Sequence, residues 1–162
     1  MSHWTRGAVA CVLLVGTAAC ANPPVSIDTP RLDDADRGAC RALVDDLPES
    51  MAGEERRLVS PAAALGAAWG DPAIVLRCGV PEPTDFTDTS TCVEADGVGW
   101  YVPDSVLLAD DETLDVTMTA VGYRPRVQVV VPGEYRPEGF SDTAATVGRL
   151  VDEHLEKVQD CL

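Results

Sequence analysis

The chain has 162 residues and carries 27 Asp and Glu against 12 Lys and Arg, a formal net charge of −15. So acidic a protein is repelled by nucleic acid and by anionic lipid headgroups, which excludes nucleic-acid binding. A hydrophobic content of 46% is too high for a wholly disordered chain, and the length fits one domain.

The N-terminus reads as an export signal. Met1–Arg6 are polar with one Arg, Gly7–Gly16 form an uncharged apolar run, and Thr17-Ala18-Ala19 are small. The run is shorter than the about 20 apolar residues that a spanning helix needs. Thr17-Ala18-Ala19-Cys20 resembles the lipobox of bacterial lipoproteins, with Thr17 where Leu is usual. That resemblance implies removal of residues 1–19 and a lipid on Cys20, which would fix the protein to the outer face of the cytoplasmic membrane. The alternative is ordinary cleavage near Ala19–Ala21 and secretion. Residues 20–32, with three prolines and no periodicity, read as the lipidated Cys and a flexible tether. Twelve such residues span roughly 20 Å. Residues 33–162 read as one domain.

Within that domain the first element is a helix over 33–47. Cys40, Leu43, Val44 and Leu47 fall on one stripe, Asp33, Asp34 and Asp36 favour its N-terminus, and Pro48 stops it. The middle reads as strands: 57–59, then 65–69 and 73–79 around Gly70-Asp71-Pro72. Two more, 92–95 and 98–102, flank Asp96-Gly97, a hairpin signal because a type I′ turn needs positive φ. Acidic or polar loops occupy 81–91 and 103–112. Residues 114–121 and 124–131 form a further hairpin, in which Leu114, Val116, Met118 and Ala120 alternate with polar residues. A last helix is expected over 141–160, with Val147, Leu150, Val151, His154, Val158 and Cys161 on one face. The expected fold is therefore α+β: an antiparallel sheet of five to seven strands with the N- and C-terminal helices packed on one face.

Cys11 leaves with the leader and Cys20 takes the lipid, so Cys40, Cys78, Cys92 and Cys161 remain. An even number in an exported domain reads as disulfides. Of the three possible pairings, placing Cys40 and Cys161 on the stripes of the two helices favours Cys40–Cys161 with Cys78–Cys92. Zinc is disfavoured by the lack of a C-x₂-C pair, and no metal or cofactor is expected.

Catalytic patterns are sparse. There is no G-x-S-x-G elbow, H-E-x-x-H, P-loop or G-x-G-x-x-G. His154 reads as a packed helix residue, not as a base. Asp45-Asp46 and Asp110-Asp111-Glu112 read as solvated surface, and no EF-hand spacing supports calcium in 104–112. No catalytic residue is assigned. The candidate binding surface is Trp69, Asp71, Arg77 and Trp100, with Arg124 or Arg126 nearby, because aromatic rings with Arg suit sugars or carboxylates. The competing reading puts both tryptophans in the core on adjacent strands.

The blocks C-R-A-L-V-D-D-L-P at 40–48, E-R-R-L-V-S-P at 55–61, A-A-W-G-D-P-A-I-V-L-R-C-G-V at 67–80, C-V-E-A-D-G-V-G-W at 92–100 and Y-R-P-R-V-Q-V-V-V-P at 123–132 resemble an actinobacterial family of small exported or membrane-anchored proteins of unknown function. The resemblance covers about residues 40–160. It implies an envelope location and supplies no catalytic residue. The single Lys, Lys157, among many Arg fits a GC-rich genome. The expectation is an envelope lipoprotein of unknown molecular function that acts as a non-enzymatic binding module. Its partners would be the membrane, through the lipid, and an envelope protein or a cell-wall component. The alternative is an enzyme or enzyme accessory of cell-wall metabolism.

Overall fold

A computed structural model describes residues 22–28, 30–87 and 89–161. Residues 1–19, read as a leader, and Cys20 lie outside the described residues. Helix α1, Asp34–Asp45, begins where the Asp33 carboxylate accepts from the Asp36 N–H at 2.9 Å. Its stripe buries Cys40 and Leu43. Its C-terminal carbonyls are met from outside: the Arg56 guanidinium donates to the carbonyls of Val44 (3.2 Å) and Leu47 (2.8 Å).

The main sheet has eight antiparallel strands, more than the five to seven expected. They are β2 (Ser50–Met51), β3 (Glu54–Arg57), β5 (Gly66–Trp69), β6 (Ile74–Cys78), β7 (Cys92–Ala95), β8 (Val98–Tyr101), β9 (Val116–Thr119) and β11 (Val127–Val131). Their order is β2-β3-β5-β6-β11-β9-β8-β7. Two meanders thus meet where β6 pairs with β11. The sequence reading placed a strand over 57–59 and missed Glu54–Arg57. That stretch has no apolar alternation, because Arg56 stacks over Trp69, 5.8 Å from the ring centre, where an aliphatic residue would otherwise pack. The β7–β8 turn does follow its signal: Asp96 and Gly97 have φ of +51° and +81°.

Two small pairs complete the strands. β1 (Val25–Ser26) runs parallel to β4 (Val59–Ser60), and β10 (Tyr123–Arg124) pairs with β12 (Glu156–Lys157). A short helix α2, Asp104–Leu107, lies in the acidic loop.

Helix α3, Glu138–His154, packs on α1 and on strands of both meanders. Both long helices therefore cover one face, as expected. The inner-face residues follow the period of two: Ile74, Leu76 and Cys78 on β6 oppose Val131, Val129 and Val127 on β11, all buried. Val98 and Trp100 continue that layer beneath α3, close to Gly148. Where the two helices end together, the His154 imidazole lies 2.9 Å from the Asp46 carboxylate.

Helix α3 stops at His154, not near Asp160. Leu155 turns to extended backbone with φ −117° and ψ 152°, which sends the chain into β12. Val158 and Cys161 are thus off the helical stripe, and Cys161 crosses to the outer face of the sheet. This overturns the pairing read from the sequence. The disulfides are Cys40–Cys78, which ties α1 to β6 on the inner face, and Cys92–Cys161, which ties the C-terminal tail to β7. Their Cα–Cα distances are 5.6 and 5.8 Å. Gly99 makes room for the tail, since a Cβ there would come 2.7 Å from that of Cys161.

The N-terminal segment is not a free tether. The Val25 and Ile27 N–H groups donate to the carbonyls of Leu58 and Ser60, each at 2.9 Å. Ile27 is buried against Gly66, and Pro30 and Leu32 sit beside Gly79. The three prolines suggested a spacer, but Ile27 supplies an apolar side chain that closes one edge of the outer face.

Candidate functional site

The four residues proposed as a binding surface are not brought together. Trp69 and Trp100 are both fully buried on the inner face. They are not on adjacent strands either, since β6, β11 and β9 separate β5 from β8. Trp69 donates its indole N–H to the Pro48 carbonyl at 3.0 Å. The Trp100 indole nitrogen is buried with no protein partner among the described residues. Asp71 lies in the β5–β6 turn. Its carboxylate is largely exposed and accepts from the Asn22 amide at 3.1 Å and from Arg57 Nη1 at 3.4 Å. Cys20 lies outside the described residues.

Arg77 is different. It alternates with the inward residues of β6, so it stands on the outer face, opposite Gln128 of β11 and Gly66 of β5. Register extends this row across the sheet: Gly66, Arg77, Gln128, Thr119, Tyr101, Cys92. The row is covered at both ends. Ile27 covers Gly66, the Phe86 ring meets Tyr101 edge-on at 5.2 Å, and Cys161 bonds Cys92. Its middle, Arg77 and Gln128, is half-buried, as are Val75, Val130 and Thr117 in the next row.

This middle is polar and cationic. Arg126 lies two residues before Gln128 on the same face and is ion-paired with Glu82. No carboxylate among the described residues pairs with Arg77, and its Nε is buried without a hydrogen-bond partner. Arg126 leaves its own Nε buried and unbonded in the same way, so what sets Arg77 apart is the lack of a carboxylate partner among the described residues. A guanidinium presents a planar fork of donors that fits a carboxylate bidentately. Gln128 adds an amide, whose nitrogen is 3.5 Å from the Thr119 hydroxyl. The run Ile74–Cys78 shows no polar alternation in the sequence, since Val75 shares the outer face with Arg77, and Gln128 and Arg126 join Arg77 only through the long-range β6–β11 register.

A hollow of about 310 Å³ lies elsewhere, between Gly97, Gly99, Gly122, Lys157 and Asp160. Its cation is already taken, because the Lys157 ammonium is 2.7 Å from the Asp160 carboxylate.

Two tyrosines titrate far from their usual range. Burial pushes the Tyr101 phenol up to about 12, helped by the Asp85 carboxylate, which accepts a hydrogen bond from the neutral hydroxyl. Burial likewise raises Tyr123 to about 12, and its hydroxyl donates to Asp152 at 2.8 Å. A phenol is neutral when protonated, so the fold holds these protons more tightly than the unfolded chain does. The stabilisation is fully present below pH 10 and is lost as pH rises from 10 towards 12. The thermal midpoint should therefore fall across that interval, and Tyr123→Phe should flatten part of the fall. A midpoint independent of pH there would contradict the burial of both phenols.

The fold defines a disulfide-stapled α+β domain, of the kind that matures in an oxidising, extracytoplasmic compartment. No helix among the described residues is long and apolar enough to cross a membrane. The chain belongs to the family described as protein of unknown function DUF3515, whose model matches residues 6–159. Comparison with curated proteins and with solved structures gives no match.

Proposed function

We propose that this protein is an exported lipoprotein of the cell envelope, anchored through Cys20, and that it is a binding module for a carboxylate-bearing ligand. The outer sheet face is the binding surface and Arg77 is its charge contact. The observation that carries this reading is the half-buried Arg77 guanidinium, which has no carboxylate partner among the described residues and is flanked by Gln128 on an otherwise strongly acidic molecule. A carboxylate placed there would receive two parallel N–H donors from the guanidinium. The leader, with its lipobox-like Thr17-Ala18-Ala19-Cys20, supports the location.

Two envelope sources carry such a group: the peptide stems of the cell wall and acidic segments of envelope proteins. Titration with muropeptides bearing free carboxylates, followed by amide NMR, separates them. Binding centred on residues 75–77 and 128–130, weakened at least tenfold in Arg77→Ala and partly restored in Arg77→Lys, would identify a wall ligand. In-cell crosslinking from position 128 that captures one envelope protein, lost in Arg77→Ala, would identify a protein partner. Binding or capture indifferent to Arg77 would refute the site. Conversion of the muropeptide, in place of simple binding, would instead establish an enzyme of wall metabolism.

A further inference from the structure

We infer that the N-terminal segment is a clasp that seats the β5–β6 turn end of the sheet directly on the lipid surface, so that the domain does not swing on a spacer. The inference rests on the reading that Cys20 is lipidated. Its structural basis is independent of that reading. The Asn22 amide donates to Asp71 at 3.1 Å, and Arg57 Nη2 donates to the Pro23 carbonyl at 2.9 Å. Beyond these, β1 is hydrogen-bonded along β4 and Ile27 is buried. The segment is thus fixed from its first described residue.

Only two peptide links separate Cys20 from Asn22, a reach of about 7 Å at full extension. A free segment of twelve residues would allow roughly 20 Å. Direction follows from register. Asn22 and Pro23 sit at the Gly70-Asp71 turn, and β1 runs away from it, parallel to β4. The acyl chains must therefore leave from the turn end. Asp71 is paired with Arg57, but Glu54 packs on Gly70 and Glu134 lies close to Tyr135 beside it, so this corner is net acidic and the acyl chains must hold it against anionic headgroups. Arg77 lies three residues along β6 from Ile74, about 10 Å further from the membrane. The binding row then faces sideways, close to the bilayer, and a ligand must be reachable within that layer.

Neutron reflectometry of the purified native lipoprotein in a supported bilayer tests this, with mass spectrometry of the same sample for acyl mass on Cys20. The domain should abut the headgroups with no resolved water layer. A variant with ten Gly/Ser residues inserted between Ala21 and Asn22 keeps the clasp and should open a layer of about 17 Å. A second variant, Asn22→Ala with Ile27→Asp, should release the segment and open a comparable gap. A native layer as thick as that of the insertion variant overturns the clasp while leaving the anchor intact. Absence of acyl mass overturns the anchor and the inference with it.

Discussion

Replacing both Cys40 and Cys78 by alanine should lower the stability of the domain by about 4 kcal/mol, measured by denaturant unfolding. The bridge spans a sequence separation of 38, and the chain-entropy model gives that magnitude for the freedom returned to the unfolded chain. Both sulfurs are also buried in the core between α1 and β6, so the native state has no easy local relaxation. The bridge Cys92–Cys161 closes a longer loop, with a separation of 69. Its removal should nevertheless cost less, because the tail beyond β12 can detach from β7 and regain freedom while the sheet stays folded. A larger loss from the Cys92 and Cys161 pair of substitutions would mean that the tail is integral to the core. Non-reducing peptide mapping checks the pairing itself: a peptide joining Cys78 to Cys92 would reinstate the connectivity expected from sequence.

Local signals in the sequence were largely obeyed. The stripe of Cys40 and Leu43, the acidic start of helix α1 and the Asp96-Gly97 turn all act over a few residues, and each is found where its pattern puts it, with Asp33 as the cap just before the helix. What escaped the sequence is non-local. Two-residue strands such as β1 and β4 have no period to detect, so a docked segment reads as a proline-rich tether. Cys161 was carried onto the last helix by extending its period past His154, whereas extended backbone at Leu155 ends that period. The disulfide pairing failed for the same reason, since it depended on where the tail goes. Of the candidate surface, the outward direction of Arg77 is not marked by an apolar–polar alternation, because Val75 on the same face is apolar. Its companions are not marked either, because Gln128 reaches it only through pairing of strands far apart in the chain.

The two tryptophans should part company when each is changed to phenylalanine. Both are fully buried, so the loss of ring volume is similar and either Trp→Ala change should cost about 3–5 kcal/mol. Their indole nitrogens differ. The Trp69 N–H is bonded to the Pro48 carbonyl just beyond α1, beneath the Arg56 guanidinium that holds the end of that helix. Trp69→Phe strands that carbonyl and should cost about 1–3 kcal/mol more than Trp100→Phe, which removes a donor that is unpaired among the described residues. From Asn22 onward these are the only tryptophans, so each variant retains one fluorescent reporter of unfolding. Equal midpoints for the two variants would mean that the Pro48 bond contributes nothing. The pair also guards the functional reading. Neither ring is at the surface, so a stable Trp100→Phe protein should bind its ligand as tightly as the parent, while Arg77→Ala should lose binding at an unchanged midpoint. Loss of binding in a fully stable Trp100→Phe variant would move the site to the inner face, beneath α3, and away from the row that contains Arg77.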